Sequence, residues 1–317
     1  MKYTQFVEKM HQSIQACLNR EQIVSVVEVP KNNGIVFTGI SIRKENENVS
    51  PTIYLESFYR EYCRGVSIEE LTKSFLNIYE EKKQTEIPDV CFFHDYDKVK
   101  TRLAVKLVNK AKNQKLLQEM PYKDFLDLAI VFYCQIGETA LGNATVAIRN
   151  EHLEKWKVDP DTLLRDALEN TKRILPPQIT KMEEIIQEFL GDEFHHDDLA
   201  DRRMCEEGHV FPRLEGVPTF EITPMMVLTN SRKYLGAVGM IYDDVLENFG
   251  KELKDDFYIL PSSIHEVILI PQSFIWDERE LKNMVKEVNE TQLDPEDILA
   301  DSVYYYDRVR KTVIRCM

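Results

Sequence analysis

The sequence predicts an α+β protein made of two or three mixed units, in each of which β-hairpins are covered by helices. The chain has 317 residues, which is enough for two or three domains of roughly 100–200 residues each. Hydrophobic residues make up 43% of the chain and only 11 residues are glycine, which favours packed, regular structure over long loops. In both the first and the last third of the chain, short β-branched runs are followed by amphipathic patterns. This repeated order indicates hairpins followed by helices.

The first predicted unit covers residues 1–83. Asn33-Gly34 separates two β-branched runs and is a strong signal for a hairpin turn. Ser67 precedes an apolar helical pattern, and Glu70 follows three residues later, as in a capping box. The predicted elements are, in order, a helix at 3–19, strands at Val24–Val29, Ile35–Ile42 and Pro51–Leu55, and helices at Glu56–Arg64 and Ser67–Lys83.

A second unit is predicted at residues 99–190, after a linker at 84–98. At its start, apolar and basic residues alternate over Val99–Val108, which is typical of a half-buried strand. A helix is the alternative there, because apolar residues also recur at every fourth position from Val99. The other predicted elements are a hairpin of Leu126–Ile136 with Ala144–Arg149, a helix at Asp161–Arg173 and a helix at Gln178–Leu190.

The third part of the chain contains an irregular segment and a last mixed unit. Residues 191–220 combine many acidic residues with little apolar periodicity, so we expect an acidic insertion or a mobile connection. The last unit is predicted at residues 221–317. Its predicted elements are strands at Met225–Thr229 and Ala237–Tyr242, a helix at Asp243–Leu253, strands at Phe257–Leu260 and Val267–Ile270, a helix at Asp277–Val288, and a final strand pair of Ser302–Asp307 with Val309–Arg315.

Charge and composition disfavour several classes of protein. The net charge of −14 would repel a phosphate backbone, so general binding of nucleic acid or of anionic membranes is not expected. No apolar run approaches the ~20 residues that cross a bilayer, and the first residues lack the pattern of a secretory signal, so we expect a cytoplasmic location without membrane association. The six cysteines have no CxxC spacing, which is typical of reduced thiols.

The most informative stretch is residues 257–271, where two apolar β-type runs flank a polar cluster. A hydroxyl, an imidazole and a carboxylate could serve nucleophilic catalysis. However, adjacent residues of a strand point to opposite faces, and a catalytic triad is normally assembled from distant parts of a chain. Three interpretations stay open: a structural turn, which the behaviour of serine in turns favours, a loop that binds a ligand or partner, and a catalytic site. The candidate pocket residues are Asn230, Ser231, Ser262, Ser263, His265 and Glu266.

The acidic segment 191–220 also contains ligand types that suit Zn²⁺ or Mn²⁺. Their order matches neither HExxH nor an H-x-E with PCxxC, and Cys205 with His209 supplies only two ligands. A solvated acidic surface is therefore the favoured interpretation, and no cofactor is predicted. The candidate metal-binding residues are His195, His196, Cys205 and His209.

The main basic feature of this acidic chain consists of Lys100, Arg102 and Lys106. These side chains would share one face if 99–108 is a strand, and that face could contact phosphate or an acidic partner. No aromatic residue is interleaved to stack on bases, which argues against recognition of single-stranded nucleic acid. A solvated strand face is therefore favoured over a nucleic-acid site.

Several short motifs along the chain resemble those of a known family. The motifs are MMVLTNSRKYLGAVGMIY at 225–242, FYILPSSIHEVILIP at 257–271, Phe125-Leu126-Asp127-Leu128-Ala129, Asn150-Glu151-His152-Leu153 with Trp156, and Asn170-Thr171 before Leu175-Pro176. They resemble a domain-of-unknown-function family of clostridial and related Firmicutes proteins and are similar, more distantly, to the YtpQ-like family. The resemblance covers the chain from about residue 20 onward. It implies a bacterial cytoplasmic protein, and it implies no activity, cofactor or catalytic residue.

The function predicted from the sequence is a non-enzymatic binding or regulatory module with a protein partner. The chain has no GxxxxGK[ST], GxGxxG or GxSxG motif and no kinase signature, so the common nucleotide-binding and hydrolase classes lose most of their support. One alternative is a hydrolase that uses His265 and Glu266, or a metal-assisted enzyme that uses the segment His195–His209. Another is a mobile-element or phage-related accessory protein that binds a host factor, because an acidic surface can act as a decoy for basic partners.

Overall fold

The computed structural model describes residues 1–19, 21–44, 52–83, 91–139, 142–190, 225–261, 263–274 and 277–316. Helices and antiparallel sheets both contribute, so the predicted α+β class is confirmed. The described chain forms two compact units: residues 1–123 with 130–170, and residues 124–129 with 171–317. The division into three units made from the sequence stays a prediction.

The first unit begins with a three-stranded antiparallel sheet in the order β1, β2, β3. Asn33 and Gly34, with φ of 60° and 71°, form the tight connection between the first two strands, which confirms the predicted hairpin. Positive φ is the reason that an Asn-Gly pair suits this turn. The strands are β1 (Gln22–Pro30), β2 (Val36–Lys44) and β3 (Thr52–Tyr54).

Three helices pack on this sheet: α1 (Tyr3–Cys17), α2 (Glu56–Cys63) and α3 (Ile68–Lys83). Phe6 and Met10 of α1 and Phe75 of α3 are fully buried with Ile40 of β2 in one core. Burial of such a side chain contributes roughly 1.5–3 kcal/mol. The predicted helices are thereby confirmed, because their apolar residues recur every three or four positions on the face that covers the sheet.

A second, four-stranded sheet lies for most of its length in the first unit. Strand β6 pairs with β4 and β5, and β7 extends it as an antiparallel hairpin, which confirms the predicted pairing of 126–136 with 144–149. The strands are β4 (Leu103–Asn109), β5 (Tyr122–Phe125), β6 (Leu128–Thr139) and β7 (Gly142–Ala147), and the helices are α4 (Tyr96–Val99), α5 (Gln114–Leu117), α6 (Asn150–Trp156) and α7 (Pro160–Ile174).

The predicted strand at Val99–Val108 begins four residues too early. Val99 ends α4, and a 3-10 turn covers Lys100–Arg102 before β4 begins at Leu103. The cause is a local cap: the Asp95 carboxylate accepts the Asp97 N–H at 3.1 Å and starts a helical turn. The helical alternative is therefore correct for the first residues of this segment.

The second unit contains a six-stranded antiparallel sheet in the order β13, β12, β10, β11, β9, β8. Within the described ranges, no helix is long and apolar enough to cross a membrane. The strands are β8 (Pro177–Lys181), β9 (Met226–Asn230), β10 (Phe257–Leu260), β11 (Val267–Pro271), β12 (Tyr304–Asp307) and β13 (Thr312–Arg315), and the helices are α8 (Met182–Leu190), α9 (Asp243–Leu253) and α10 (Glu278–Thr291).

Two predictions for this unit are wrong in part. Residues 237–242 were expected to be a strand, but Gly236–Ile241 is a 3-10 helix. Strand β9 already pairs with β11 on one side and β8 on the other, so the segment that follows it has no free edge to join. The second wrong prediction concerns β8. The helix predicted at Gln178–Leu190 begins only at Met182, because the residues before it form this strand.

Candidate functional site

The candidate site is built around the turn at residues 230–236, here called the asparagine turn. Strand β9 ends at Asn230, which is 1% exposed. Its amide oxygen accepts hydrogen bonds from the N–H groups of Arg232 (2.9 Å) and Tyr234 (3.4 Å), and its amide nitrogen donates to the Tyr234 carbonyl (2.6 Å). The Lys233 N–H donates to the Asn230 carbonyl (2.9 Å). One buried asparagine thus bonds to the N–H groups of three residues of the turn and helps to fix its shape.

The asparagine turn also depends on unusual backbone conformations and on one position without a side chain. Lys233 and Leu235 have φ of 51° and 54°, in the left-handed region that most residues avoid. A Cβ atom on Gly236 would lie 2.6 Å from the His265 carbonyl oxygen and would also collide with Thr229 Oγ1. Glycine at this position lets the turn lie against the neighbouring loop.

That neighbouring loop, residues 263–266, lies between β10 and β11 and is here called the histidine loop. The Ser263 N–H donates to the Glu266 carbonyl (3.2 Å), and Ser263 Oγ accepts from the His265 N–H (3.0 Å). The His265 carbonyl accepts from the Gly236 N–H (2.9 Å) and from Thr229 Oγ1 (2.8 Å). The loop is therefore closed by its own serine and tied to the asparagine turn through the backbone.

The imidazole of His265 joins three segments of the chain. The Leu235 N–H donates to Nδ1 at 3.1 Å, so Nδ1 must carry a lone pair and the neutral ring carries its proton on Nε2. Nε2 then donates to Asp297 Oδ1 at 3.3 Å. The backbone of Asp297 repeats this link, because its carbonyl accepts the Ile264 N–H at 2.8 Å. The His265 side chain is 28% exposed, and the ring of Tyr234 lies 5.5 Å from it.

This arrangement is a hydrogen-bonded brace. Both imidazole nitrogens of His265 are engaged within the protein, and Ser263 Oγ meets the backbone N–H of His265, not its ring. A serine nucleophile would need the lone pair of the imidazole as its base. Among the described residues, these hydrogen bonds therefore hold the asparagine turn, the histidine loop and Asp297 together.

The structure brings together only some of the candidate pocket residues predicted from the sequence. Asn230, Ser263 and His265 meet in the brace. Ser231 is exposed, and its N–H donates to the Pro176 carbonyl at 3.3 Å. Glu266 is half-buried, and the bond that ties it into the loop uses its carbonyl. Ser262 lies outside the described residues.

Three residues of the brace were missed by the sequence interpretation: Thr229, Gly236 and Asp297. Gly236 and Asp297 each carry a signal that was available. Gly236 follows a polar turn, where a glycine often marks a close backbone approach. Asp297 follows Asp294-Pro295, a pair typical of turns, and its N–H donates to the Asp294 carbonyl (2.8 Å). What the sequence lacks is the pairing of β9 with β11, which places Thr229 beside the histidine loop.

The candidate metal residues His195, His196, Cys205 and His209 all lie outside the described residues. In the ranges that the structure does describe, no group of three or more histidine, cysteine, aspartate or glutamate residues could hold a metal ion.

The basic residues predicted to share a strand face are separated in the structure. Lys100 pairs with Asp97 at 2.6 Å, and this carboxylate raises the pKa of the lysine. The Arg102 guanidinium lies over the Phe92 ring at 4.3 Å. Lys106 is half-buried within β4. Since the strand begins after the first two, the three residues do not form one strand face.

Comparison with known proteins gives one match. No curated protein and no solved structure matches the chain. The family of unknown function DUF5688 matches residues 3–308, which is nearly the whole chain and includes both the asparagine turn and the histidine loop. The chain therefore belongs to DUF5688, a family of unknown function.

Proposed function

We propose that this protein is a non-enzymatic binding or regulatory module whose asparagine turn and histidine loop together present a recognition surface to a protein partner. The proposal includes a bacterial, cytoplasmic setting. The clostridial or Firmicutes origin and the distant similarity to the YtpQ-like family, both implied by the resemblance, belong to the same proposal.

The observation that carries the proposal is the state of His265. A general base needs a free lone pair and a general acid needs a proton that faces a substrate. Nδ1 of His265 accepts from Leu235, and Nε2 faces Asp297. Such a ring stabilises the loops around it, which supports a structural role for His265 within a binding module.

The exposed tip of the asparagine turn supports binding. Ser231, Arg232 and Lys233 are exposed, whereas Asn230 beneath them is buried and holds the turn in place. A loop that is already ordered loses little conformational entropy on association, so its contacts convert efficiently into affinity. The two cationic residues at the tip favour an acidic patch on the partner.

A crosslinking experiment tests the binding role. A photo-reactive amino acid is placed at Ser231 in the full chain expressed in bacterial cells, and a matched one at Glu252, an exposed residue of α9. The proposal expects a discrete crosslinked product from position 231 that is absent from position 252. The same products at both positions, or none at either, would count against a recognition surface here.

A second experiment tests the enzymatic alternative. Purified protein and the His265→Gln variant are assayed with nitrophenyl esters, phosphates and glycosides. We expect no turnover above the background of the substrate alone. The proposal fails if the wild type hydrolyses a substrate and the variant, with a Tm close to that of the wild type, does not.

A further inference from the structure

A groove lies between α1 and strand β1 in the first unit. Its volume is about 520 Å³, within the range of ligand-binding clefts. The groove is on the face of the sheet that α1 covers, where Val24 is buried beneath the helix and Val26, two residues further along, is 43% exposed. Its lining includes Tyr3, Val7, Glu8, Val26, Glu28 and Thr38.

The groove runs beside an open sheet edge. Strand β1 is at the edge of its sheet and, with nine residues, is the longest edge strand in the part of the chain that the structure describes. Edge strands offer unpaired backbone groups to other chains, and most proteins protect them with lysine, proline or bulges. Here β1 exposes Ile23 (45%) and Val26 (43%) and contains one charged residue, Glu28.

The register shows which backbone groups of β1 face outward. At the end of the hairpin, the Lys31 N–H donates to the Ile35 carbonyl (2.8 Å). From this pair onward, hydrogen-bonded and non-hydrogen-bonded residue pairs alternate along the antiparallel strands. Glu28, opposite Thr38, is then in a non-bonded pair. The Thr38 N–H donates to Glu56 Oε1 at 2.7 Å and not to β1, which agrees with a non-hydrogen-bonded pair at this position. By the same alternation, the N–H and C=O groups of Val26 and Glu28 point away from β2.

The open part of this edge has defined ends. His11 Nε2 donates to the Val24 carbonyl at 3.2 Å and closes the edge on one side. Pro30 has no N–H group and ends the strand on the other side. Between them, Val26 and Glu28 line the groove with their side chains and direct their backbone groups to the free edge.

The groove carries negative charge that no described cation balances. Glu8 and Glu28 are exposed, and neither forms an ion pair with a residue in the described ranges. A third carboxylate, Glu56, lies behind the groove wall: Oε1 accepts from Tyr3 (2.8 Å) and Thr38 (2.7 Å), whereas Oε2 is buried without a hydrogen-bond partner among the described residues.

We propose that the groove and the free edge of β1 bind an extended peptide segment of a protein partner. The segment adds to β1 as a further strand, with backbone hydrogen bonds to Val26 and Glu28, and places a lysine or arginine side chain between Glu8 and Glu28. Strand addition takes affinity from the main chain and specificity from pockets for alternate side chains. The apolar stem of the basic side chain packs on Val7 and Val26. This site is separate from the asparagine turn and does not depend on the function proposed for it.

Calorimetry with synthetic peptides tests the charge requirement. The full chain is titrated with the blocked pentapeptide Thr-Val-Lys-Val-Thr and with the same peptide carrying glutamate at its centre. We expect saturable binding of the lysine peptide only. The double variant E8Q/E28Q should weaken that binding by about tenfold, as expected for two partly solvated ion pairs. The control E69Q/E252Q removes two exposed glutamates elsewhere and should change it less than about twofold.

Two changes test the strand pairing. The lysine peptide with N-methyl groups on its backbone keeps its charge and loses its donors, so it should not bind. Val26→Pro removes an N–H group that faces the free edge and no bond to β2, so it should weaken binding while the Tm stays near that of the wild type. If that variant does not fold, the N-methylated peptide decides the point by itself.

The proposal is overturned if the N-methylated or the glutamate peptide binds as tightly as the lysine peptide, or if the control double variant loses as much affinity as E8Q/E28Q. It is also overturned if spermidine binds with the affinity of the lysine peptide and the same dependence on Glu8 and Glu28, because the groove would then be a site for free amines. None of these outcomes affects crosslinking from Ser231, so the two proposals can fail separately.

Discussion

Asn230 is an amide buried at the end of a strand, and a buried amide must find partners for its oxygen and its N–H groups. It finds them in the backbone of Arg232 and Tyr234. These bonds help to hold Lys233 and Leu235 in the left-handed region, at a cost of roughly 1–3 kcal/mol for each such residue. At the scale of single residues, the local shape of the candidate site is therefore set by side chains that bond to backbone.

Gly236→Ala should destabilise the protein by about 1–3 kcal/mol. The added methyl group would lie 2.6 Å from the His265 carbonyl oxygen and 2.7 Å from Thr229 Cα, so the turn and the loop would have to separate. Chemical denaturation monitored by circular dichroism measures the change.

Gly250→Ala provides the matched control. Gly250 lies within α9, and the nearest atom to an added Cβ is at 3.4 Å, an ordinary contact. Alanine is also the better helix former by about 1 kcal/mol, so this variant should be neutral or more stable. Equal losses in the two variants would contradict a specific role for the close approach at Gly236.

At the scale of elements, two helices of the first unit begin with a side chain that accepts the N–H group of the N-cap residue. In α3 the Glu70 N–H donates to Ser67 Oγ (3.2 Å) and the Ser67 N–H donates to Glu70 Oε2 (3.1 Å). These bonds also lower the pKa of Glu70, with the Ser67 hydroxyl as the largest cause. In α6 the corresponding acceptor is an imidazole: His152 Nδ1 accepts the Arg149 N–H at 3.0 Å.

Ser67→Ala should lower the free energy of unfolding by about 0.5–2 kcal/mol, the usual effect of losing an N-cap. Ser74→Ala is the control, because Ser74 is exposed in the middle of the same helix, where alanine is the better helix former. Urea denaturation of both variants makes the comparison. A loss from Ser74→Ala as large as that from Ser67→Ala would show that the cap contributes nothing of its own.

His152 should make stability depend on pH. Burial beside Phe93 and Trp156 is the main cause that lowers the pKa of its imidazole below the ordinary value of 6.5, against an opposing effect of Glu151. Because the folded pKa is the lower one, the unfolded chain binds the extra proton first. Stability contributed by the neutral ring is thus complete above about pH 6.5 and decreases as the pH falls below it.

The measurement is the free energy of unfolding of the wild type and of His152→Gln between pH 5 and pH 8. Glutamine can accept the same N–H group and does not titrate, so the variant should lose less stability than the wild type on acidification. Parallel pH profiles for the two proteins would rule out a contribution from His152.

At the scale of the whole molecule, the described cysteines divide into exposed and buried thiols. Cys17, Cys63 and Cys91 are exposed free thiols, and Cys134 and Cys316 are buried. Burial raises the pKa of the Cys134 thiol to about 12 and that of Cys316 to about 11. The reactive thiolate is therefore scarce at both buried positions.

Thiol titration checks this division. In a Cys205→Ser variant, three thiols should react rapidly with a disulfide reagent in the native protein and two only after denaturation. The raised pKa of the Cys134 and Cys316 thiols in the folded protein keeps them protonated, and burial keeps them inaccessible. Five rapid thiols in the native state would contradict the burial of Cys134 and Cys316, and fewer than five after denaturation without reductant would indicate a disulfide.

Local sequence signals predicted most elements of the fold. Asn33-Gly34 identified the first hairpin, and Ser67 with Glu70 identified the start of α3, because turns and caps depend on residues close in sequence. The alternation of Tyr304, Tyr305 and Tyr306 between buried and half-buried positions follows from the period of a strand. In the second unit the predictions at β8 and at 237–242 failed because the outcome depended on the pairing of β9 with β8 and β11.

Local sequence patterns specified the α+β class, the hairpins, most helix starts and the concentration of polar residues at 230–231 and 263–266, because each of these follows from neighbours within a few positions. Tertiary structure decided what those polar residues do. Leu235 meets Nδ1 of His265 because β9 pairs with β11, and Asp297 reaches Nε2 from a position 32 residues further along the chain. Likewise, the acidic groove beside β1 exists because α1 covers Val24 and leaves Val26 and Glu28 open. Contacts between residues distant in the chain are set by packing, and no local pattern encodes them.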